Sequence, residues 1–336
     1  MTDQPSSATQ FFFQLTPERV LEAVEQLGTR CTGRVLALNS MENRVYEVEL
    51  DIDPDPNGGR WDTFRVVKFY RPGRWSRAQI QEEHSFLMEC EKGEIPVVAP
   101  IQFPDGATIK EVPGSGIYFA VFPKVGGRIL DEMSQEEFRR IGRLIGRMHG
   151  IGAQARFQHR PHLTCETYGF ANLEFLRREK LIPPTVEGHY IGVAERILKA
   201  AEPWFKETGT QRLHGDCHIG NILWSGQGCA IVDFDDCLEG PCVQDIWLLT
   251  PGRDPENTRN REWLLEGYEM MRAFDRSSLR LVEPLRALRM IHFTTWIAKR
   301  FEDPAFKRVF VDYGSQQYWR EQLVALQEVG ECLGIG

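Results

Sequence analysis

Asp216, Asn221 and Asp233 are the residues in this sequence best placed to do chemistry. They lie in Leu213-His214-Gly215-Asp216-Cys217-His218-Ile219-Gly220-Asn221-Ile222-Leu223-Trp224 and, after a short apolar run, Asp233-Phe234-Asp235-Asp236. Asn221 offers a neutral amide oxygen and Asp233 an anionic one. Such a sparse oxygen set suits Mg²⁺, which takes few protein ligands and leaves its other positions to phosphate and water. Asp216 can then accept or orient the proton of an attacking hydroxyl. That task needs no strong base, because a loose phosphoryl-transfer transition state asks the protein mainly for positioning and charge compensation.

Each residue alone could be a turn residue, since Asp, Asn and Gly are common in turns. Their joint spacing, with Cys229-Ala230-Ile231-Val232 reading as a buried strand before Asp233, favours a site. Gly215-Asp216-Cys217-His218 also has the Gly-Asp-x-His form of two-metal phosphoesterases. Those need further histidines downstream, and His292 is the sole one after His218. A zinc site from His214, Cys217 and His218 lacks a fourth ligand and paired Cys-x-x-Cys spacing. His214 reads instead as a packed histidine that shapes the loop.

The elements that must position these residues fall into two parts. Thr16-Pro17-Glu18 opens a helix, with Thr16 as N-cap and an apolar face of Val20, Leu21, Val24 and Leu27. Strand-like runs follow at Gly33–Leu38, Arg44–Leu50, Phe64–Tyr70 and Ile117–Phe122, with a helix at Ser76–Lys92 inserted among them. The turn cluster at residues 53–59 predicts a hairpin between the second and third runs. Alternation puts Lys68 on one face of its strand with Val66 and Tyr70. The inserted helix carries Glu82 and Glu83, either of which could pair with Lys68. Glu83 is preferred for its helical spacing to Phe86-Leu87. From Ser134 the pattern is helical to the end, apart from the segment holding Asp216 and Asp233. Gly142, Gly146 and Gly150 recur four apart on the first of these helices, and the arginines beside them exclude a bilayer, so close helix packing is the expectation.

The 336 residues are enough for two lobes with substantial cores, divided at 1–123 and 124–336, with residues 1–10 expected to be disordered. A net charge of -8 argues against a nucleic-acid binder. Phe11-Phe12-Phe13 is too short for a signal or a membrane span. The eight scattered cysteines follow no disulfide or metal rhythm and read as reduced thiols of a cytoplasmic protein.

The spacing of His214, Asp216, Asn221, Asp233 and Phe234 resembles the protein-kinase catalytic loop and its metal-binding Asp-Phe. More closely, His214-Gly215-Asp216 to Asn221, Val232 to Asp235 and Gly240 to Asp245 resemble the aminoglycoside phosphotransferase and choline kinase branch of that superfamily. Within it, Leu38 to Tyr46, Val67 to Pro72, Phe119 to Arg128 and Glu283 to Arg286 resemble a bacterial family of cytoplasmic, Mg²⁺-dependent stress-response Ser/Thr protein kinases.

That resemblance implies an α+β, bilobal protein-kinase-like fold with a β-rich N-lobe and a mostly helical C-lobe. It implies ATP and Mg²⁺ as cofactors and a Ser/Thr of a protein as acceptor. The catalytic residues would be Asp216 and Asp233, the metal ligands Asn221 and Asp233, and the ATP contacts Ser40, Lys68 and Glu83. Asp245 would brace the catalytic loop or cap the helix that follows it. One departure is plain. No Gly-x-Gly-x-x-Gly precedes Lys68, and the loop Asn39-Ser40-Met41-Glu42-Asn43-Arg44 is polar instead. Phe119 to Val125 would be the adenine-facing hinge. A small-molecule alcohol kinase is the alternative acceptor class, and a non-catalytic scaffold is disfavoured by the presence of Lys68, Asp216, Asn221 and Asp233. A monomer is expected.

Overall fold

The structure, a computed structural model, describes residues 12, 14–56, 59–226 and 228–335. The disorder expected over residues 1–10 falls outside them. By contact the chain forms two units, Met1–Glu132 with Ile219–Asp235, and Met133–His218 with Asp236–Gly336.

In the first unit, helix α1 (Pro17–Glu25) starts at Thr16, whose hydroxyl accepts the Arg19 N–H. Strands β1 (Cys31–Leu38), β2 (Arg44–Leu50), β3 (Phe64–Phe69), β4 (Lys110–Glu111) and β5 (Tyr118–Pro123) form one antiparallel sheet in the order β1-β2-β3-β5-β4. Val67 and Phe69 of β3 join Val48, Phe119, Val121 and the α1 residues Val20 and Val24 in one core. Because successive side chains in a strand point to opposite faces, Lys68 emerges on the other side of the sheet. Helix α2 (Arg77–Lys92) begins with a capping box of Ser76 and Gln79. Its buried His84 bonds Tyr70 at 2.9 Å and Thr108 at 2.8 Å, which fixes the helix against β3.

The hairpin of β7 (Ile222–Ser225) and β8 (Gly228–Ile231) packs with this unit. Ile231 bridges to Val97, and Trp224 bridges to Arg128. Division by contact therefore differs from a boundary at residue 123. Residues 124–132 and 219–235 pack with the first unit, because backbone bridges between distant segments are invisible in local patterns.

In the second unit, α3 (Gln135–Gly152) starts with a capping box of Ser134 and Glu137 and buries Phe138, Ile141, Leu144, Ile145 and Met148. It packs on α7 (Pro255–Glu269), and its glycines explain the approach. A Cβ at Gly142 would collide with the Leu264 carbonyl, and one at Gly146 would lie 2.9 Å from the Tyr268 carbonyl. Gly150, in the same series, faces open space.

A π-turn at Cys165–Phe170 leads into α4 (Ala171–Arg178). Then come α5 (Pro184–Glu207), α6 (Val243–Trp247), α8 (Val282–Ala298), α9 (Pro304–Val309) and α10 (Gln316–Cys332). Here the helical expectation needs correcting. β6 (Thr210–Leu213) and β9 (Leu238–Pro241) form an antiparallel pair, with Leu213 opposite Leu238. Four-residue strands are too short to show a period in sequence. All eight cysteines are free thiols. Among the described residues no helix is long and apolar enough to cross a membrane.

Candidate active site

The first unit gathers a buried set of charges around Lys68. Its Nζ lies 3.2 Å from Glu83 Oε1 and 2.6 Å from Asp235 Oδ1. The other oxygen of Asp235 lies 2.6 Å from Arg74 Nη1. Arg74 and Arg71 lie 3.8 and 3.9 Å from Glu42, and the Asn43 amide oxygen accepts the Arg71 N–H at 3.1 Å. Three cations thus meet three carboxylates with little water. Burial alone would strip Lys68 of its proton, but the carboxylates of Asp235 and Glu83 more than offset it and hold the pKa well above the ordinary lysine value. Lys68 is therefore a fixed cation, suited to binding phosphate.

The polar β1–β2 loop has its explanation in the same cluster. Glu42 and Asn43 are buried and tie the loop to Arg71 and Arg74, so side chains do the anchoring. Ser40 is part of that loop and half-buried, reaching the cluster only through these neighbours.

Asn221 ends a 3₁₀ turn before β7, and its carbonyl accepts the Val232 N–H at 3.0 Å. That bond sets Asn221 beside the approach to Asp233. Asp233 is exposed and adopts φ +63°, a left-handed conformation that L-residues reach at a cost of about 1–3 kcal/mol and that clusters at functional sites. Phe234 follows into the interior and packs edge-on against Phe86 of α2 at 5.8 Å. Buried Phe234 thus anchors a backbone that presents the preceding carboxylate outward. An amide and an exposed carboxylate fit a hard divalent cation that keeps its other positions for phosphate and water.

The hinge candidate Phe119 to Val125 begins inside β5. Phe119 to Phe122 pair with β3, placing Ala120 opposite Lys68. Lys124, beyond the strand, pairs with Glu47.

The second unit holds Asp216 on a loop that is over-determined by hydrogen bonds. The buried Asp245 carboxylate accepts the His214 N–H at 2.9 Å and the Gly215 N–H at 2.8 Å. Gln244 donates to the Gly215 carbonyl at 2.8 Å, and His214 Nδ1 accepts the Asp216 N–H at 3.3 Å. Gly215 has φ +85°, and a Cβ there would strike the Asp236 carbonyl, so only glycine fits.

Asp245 sits inside α6 rather than capping it, and its role is to brace the loop. It also lies 3.0 Å from His149, which bonds Tyr268 at 3.0 Å. Burial opposes charge on His149, but Cys242 and Asp245 prevail and lift its pKa to about 9. Cys217 carries no thiolate for a metal, because burial pushes its thiol well above the usual range. The Asp216 carboxylate, about a quarter exposed, lies 2.7 Å from Arg289 Nη1 and 3.5 Å from His218 Nε2.

The structure thus brings Lys68 and Glu83 together, leaves Glu82 outside the pair, and sets Asn221 next to the Asp233 turn. It adds residues that sequence reasoning passed over: Asp235, Arg74 and Glu42 in one unit, Arg289 and His149 in the other. Asp235 was visible as the second acid of Asp233-Phe234-Asp235. Arg289, on a distant helix, left no local signal.

A lysine strand paired to a helix glutamate, with a His-Gly-Asp loop on a helical unit, is the organisation of a kinase-like phosphotransferase. Solved structures agree on the fold. An amicoumacin kinase bound to AMP-PNP, Ca²⁺ and Ami superposes with a TM-score of 0.71 at 19% identity, covering 91% of this chain and 96% of that one. The choline kinase LicA of Streptococcus pneumoniae superposes at 0.59 with 18% identity, over 93% and 98%. The sequence model described as the phosphotransferase enzyme family matches residues 35–282. Stress response kinase A of Salmonella paratyphi A is 38% identical over 96% of this chain and 95% of that protein, and that of Escherichia coli K12 is 37% identical over the same shares. A Salmonella typhimurium relative, 38% identical, is named serine/threonine protein kinase RdoA. The chain belongs to the phosphotransferase enzyme family, within its stress response kinase A group.

Proposed function

We propose that this chain is an ATP- and Mg²⁺-dependent protein kinase that phosphorylates Ser or Thr, acting in the cytoplasm in a stress response. The observation that carries the reading is end-to-end identity of 38% with relatives named as stress response and Ser/Thr protein kinases. The amicoumacin kinase and the choline kinase LicA are 19% and 18% identical.

In this reading the acceptor hydroxyl gives its proton to Asp216 as its oxygen bonds to the γ-phosphorus of ATP. The bond from that phosphorus to the β–γ bridging oxygen breaks, and ADP leaves. Lys68, held by Glu83 and Asp235, neutralises the α and β phosphates, and Ser40 with its loop closes over them. Asn221 and Asp233 would hold Mg²⁺, which when bound screens the charge of the phosphate oxygens. Asp216 needs to orient the hydroxyl more than to deprotonate it early, which suits a carboxylate.

The test is incubation with γ-labelled ATP and Mg²⁺ and a Ser-containing protein, with Asp216→Ala and Asp233→Ala alongside. Label on Ser or Thr in the wild type is expected. Each variant should fall by on the order of 10³-fold, as loss of a general base or charge-stabilising group does. Label that appears only on small alcohols such as choline or an aminoglycoside would replace this acceptor class with the other.

A further inference from the structure

Helix α8 presents one face that the proposed reaction does not use. Arg286, Arg289, Phe293 and Trp296 recur at three- and four-residue steps, so they lie along one side of the helix, and Arg300 follows in the turn after its end. No carboxylate interrupts this series. Arg286 is occupied by Glu283 and the Pro251 carbonyl. Arg289 reaches Asp216 at 2.7 Å while remaining 43% exposed.

Beyond it, Phe293 and Trp296 are stacked at 5.4 Å, and Phe310 packs edge-on against both at 5.8 and 6.1 Å. Phe293 is 45% exposed, and next to Phe310 Val309 and Val311 are 55% and 77% exposed. Arg300 lies over the Trp296 ring at 5.2 Å. From Arg289 to Val311 five Lys and Arg face two carboxylates, in a chain whose net charge is -8. Of those two, Asp303 is buried as the N-cap of α9, and Glu302 pairs with Lys307 at 3.2 Å. An apolar platform inside a basic patch, adjoining Asp216, suits a partner that is both acidic and apolar.

We infer that this face of α8 docks the acceptor segment of the protein substrate and selects an acidic, apolar sequence. The inference rests on the protein-kinase reading above and specifies its substrate. A carboxylate beside the acceptor Ser or Thr pairs with Arg289. In doing so it takes the place of Asp216 as partner of that guanidinium and releases the Asp216 oxygen toward the hydroxyl.

The step from Arg289 to Trp296 spans about 10 Å at the helical rise. An extended peptide advances ~3.3 Å per residue, so an apolar side chain roughly three positions from the acceptor falls on the Phe293–Trp296–Phe310 platform. Arg289 also disfavours cationic acceptors, since like charges brought together at this site repel.

The test compares three Ser peptides with the intact protein. One has Asp next to Ser and Leu three residues away, one has Lys in place of Asp, and one has Ser in place of Leu. The first should exceed each of the others in kcat/KM by at least about tenfold, through KM alone for Leu, as expected for a docking contact, and through both kcat and KM for Asp, which also frees Asp216. Arg289→Glu should abolish or invert the Asp-over-Lys preference, and Arg289→Lys should retain it. Phe293→Ser with Trp296→Ser should remove the preference for Leu alone.

Equal use of all three peptides by the wild type, or an unchanged preference in Arg289→Glu, overturns the docking inference and leaves the kinase reading standing. Label on no peptide or protein, with turnover on small alcohols, overturns both. A dimer that Phe293→Ser dissolves, with equal peptide kinetics, would assign the face to self-association instead.

Discussion

The two units handle charge in opposite ways. Around Lys68, three cations and three carboxylates interlock with side chains at most about a tenth exposed. Around Asp216, the backbone is rigid but the carboxylate itself meets Arg289 and His218 where both partners are some 40% exposed. A buried set is costly to break, because a remaining charge loses its partner without gaining water. A half-exposed pair is easily exchanged. The Lys68 set is therefore built to hold its arrangement, and the Asp216 pair to exchange partners readily.

The largest expected effect comes from breaking the buried set. Arg74→Ala removes one of the two cations paired with Asp235, the other being Lys68, and should lower unfolding free energy by about 3 kcal/mol, against less than about 1 kcal/mol for Arg289→Ala. Chemical denaturation of both variants measures this. Similar losses in the two would show that the clusters do not differ as described.

A smaller effect separates backbone from side chain in the Asp216 loop. Asp245→Asn keeps the shape but puts an amide NH₂ where one carboxylate oxygen accepted, so one of the two charge-assisted bonds from His214 and Gly215 is lost and the other weakened, costing about 1.5–3 kcal/mol. Turnover should drop while nucleotide affinity is kept, because the bonds changed hold the Asp216 loop and His149, all within the second unit. Calorimetric titration with a non-hydrolysable ATP analogue checks it, and an equal loss of affinity would count against the separation.

The smallest effect is on pH dependence, where two histidines of the second unit oppose each other. His149, lifted to about 9 from an ordinary 6.5, stabilises the fold fully below pH 6.5, and that contribution is lost as pH rises through 9. His292 is pushed down to about 4, chiefly by burial, with Lys299, Arg300 and Arg289 adding to it. Its contribution is full above pH 6.5 and is lost as pH falls toward 4. Urea midpoints should therefore peak near neutrality. His149→Gln should flatten the alkaline limb and His292→Gln the acidic one, and limbs that survive these changes would assign the titration elsewhere.

Much of the strand and helix pattern was legible. β2 was read to the residue, and Ser76 and Ser134 were read as the points where α2 and α3 begin, because caps and alternation are local signals. The His214 to Asp233 constellation stood out because its residues lie within twenty positions of one another. Lys68 and Glu83, fifteen apart, were legible through strand alternation and helical spacing together. β6 and β9 were missed because each is four residues long and its pairing partner is distant.

What the sequence determined by itself, then, is the chemistry: which oxygens and which lysine are present, in an order that admits phosphoryl transfer and little else. Only the tertiary structure decided which charges share a site. Asp235 joins Lys68 and Arg74, His149 stands behind Asp245, and Arg289 crosses from a helix seventy-three residues away to meet Asp216. Covalent spacing fixes local geometry, whereas ion pairs depend on distances through space that only packing sets.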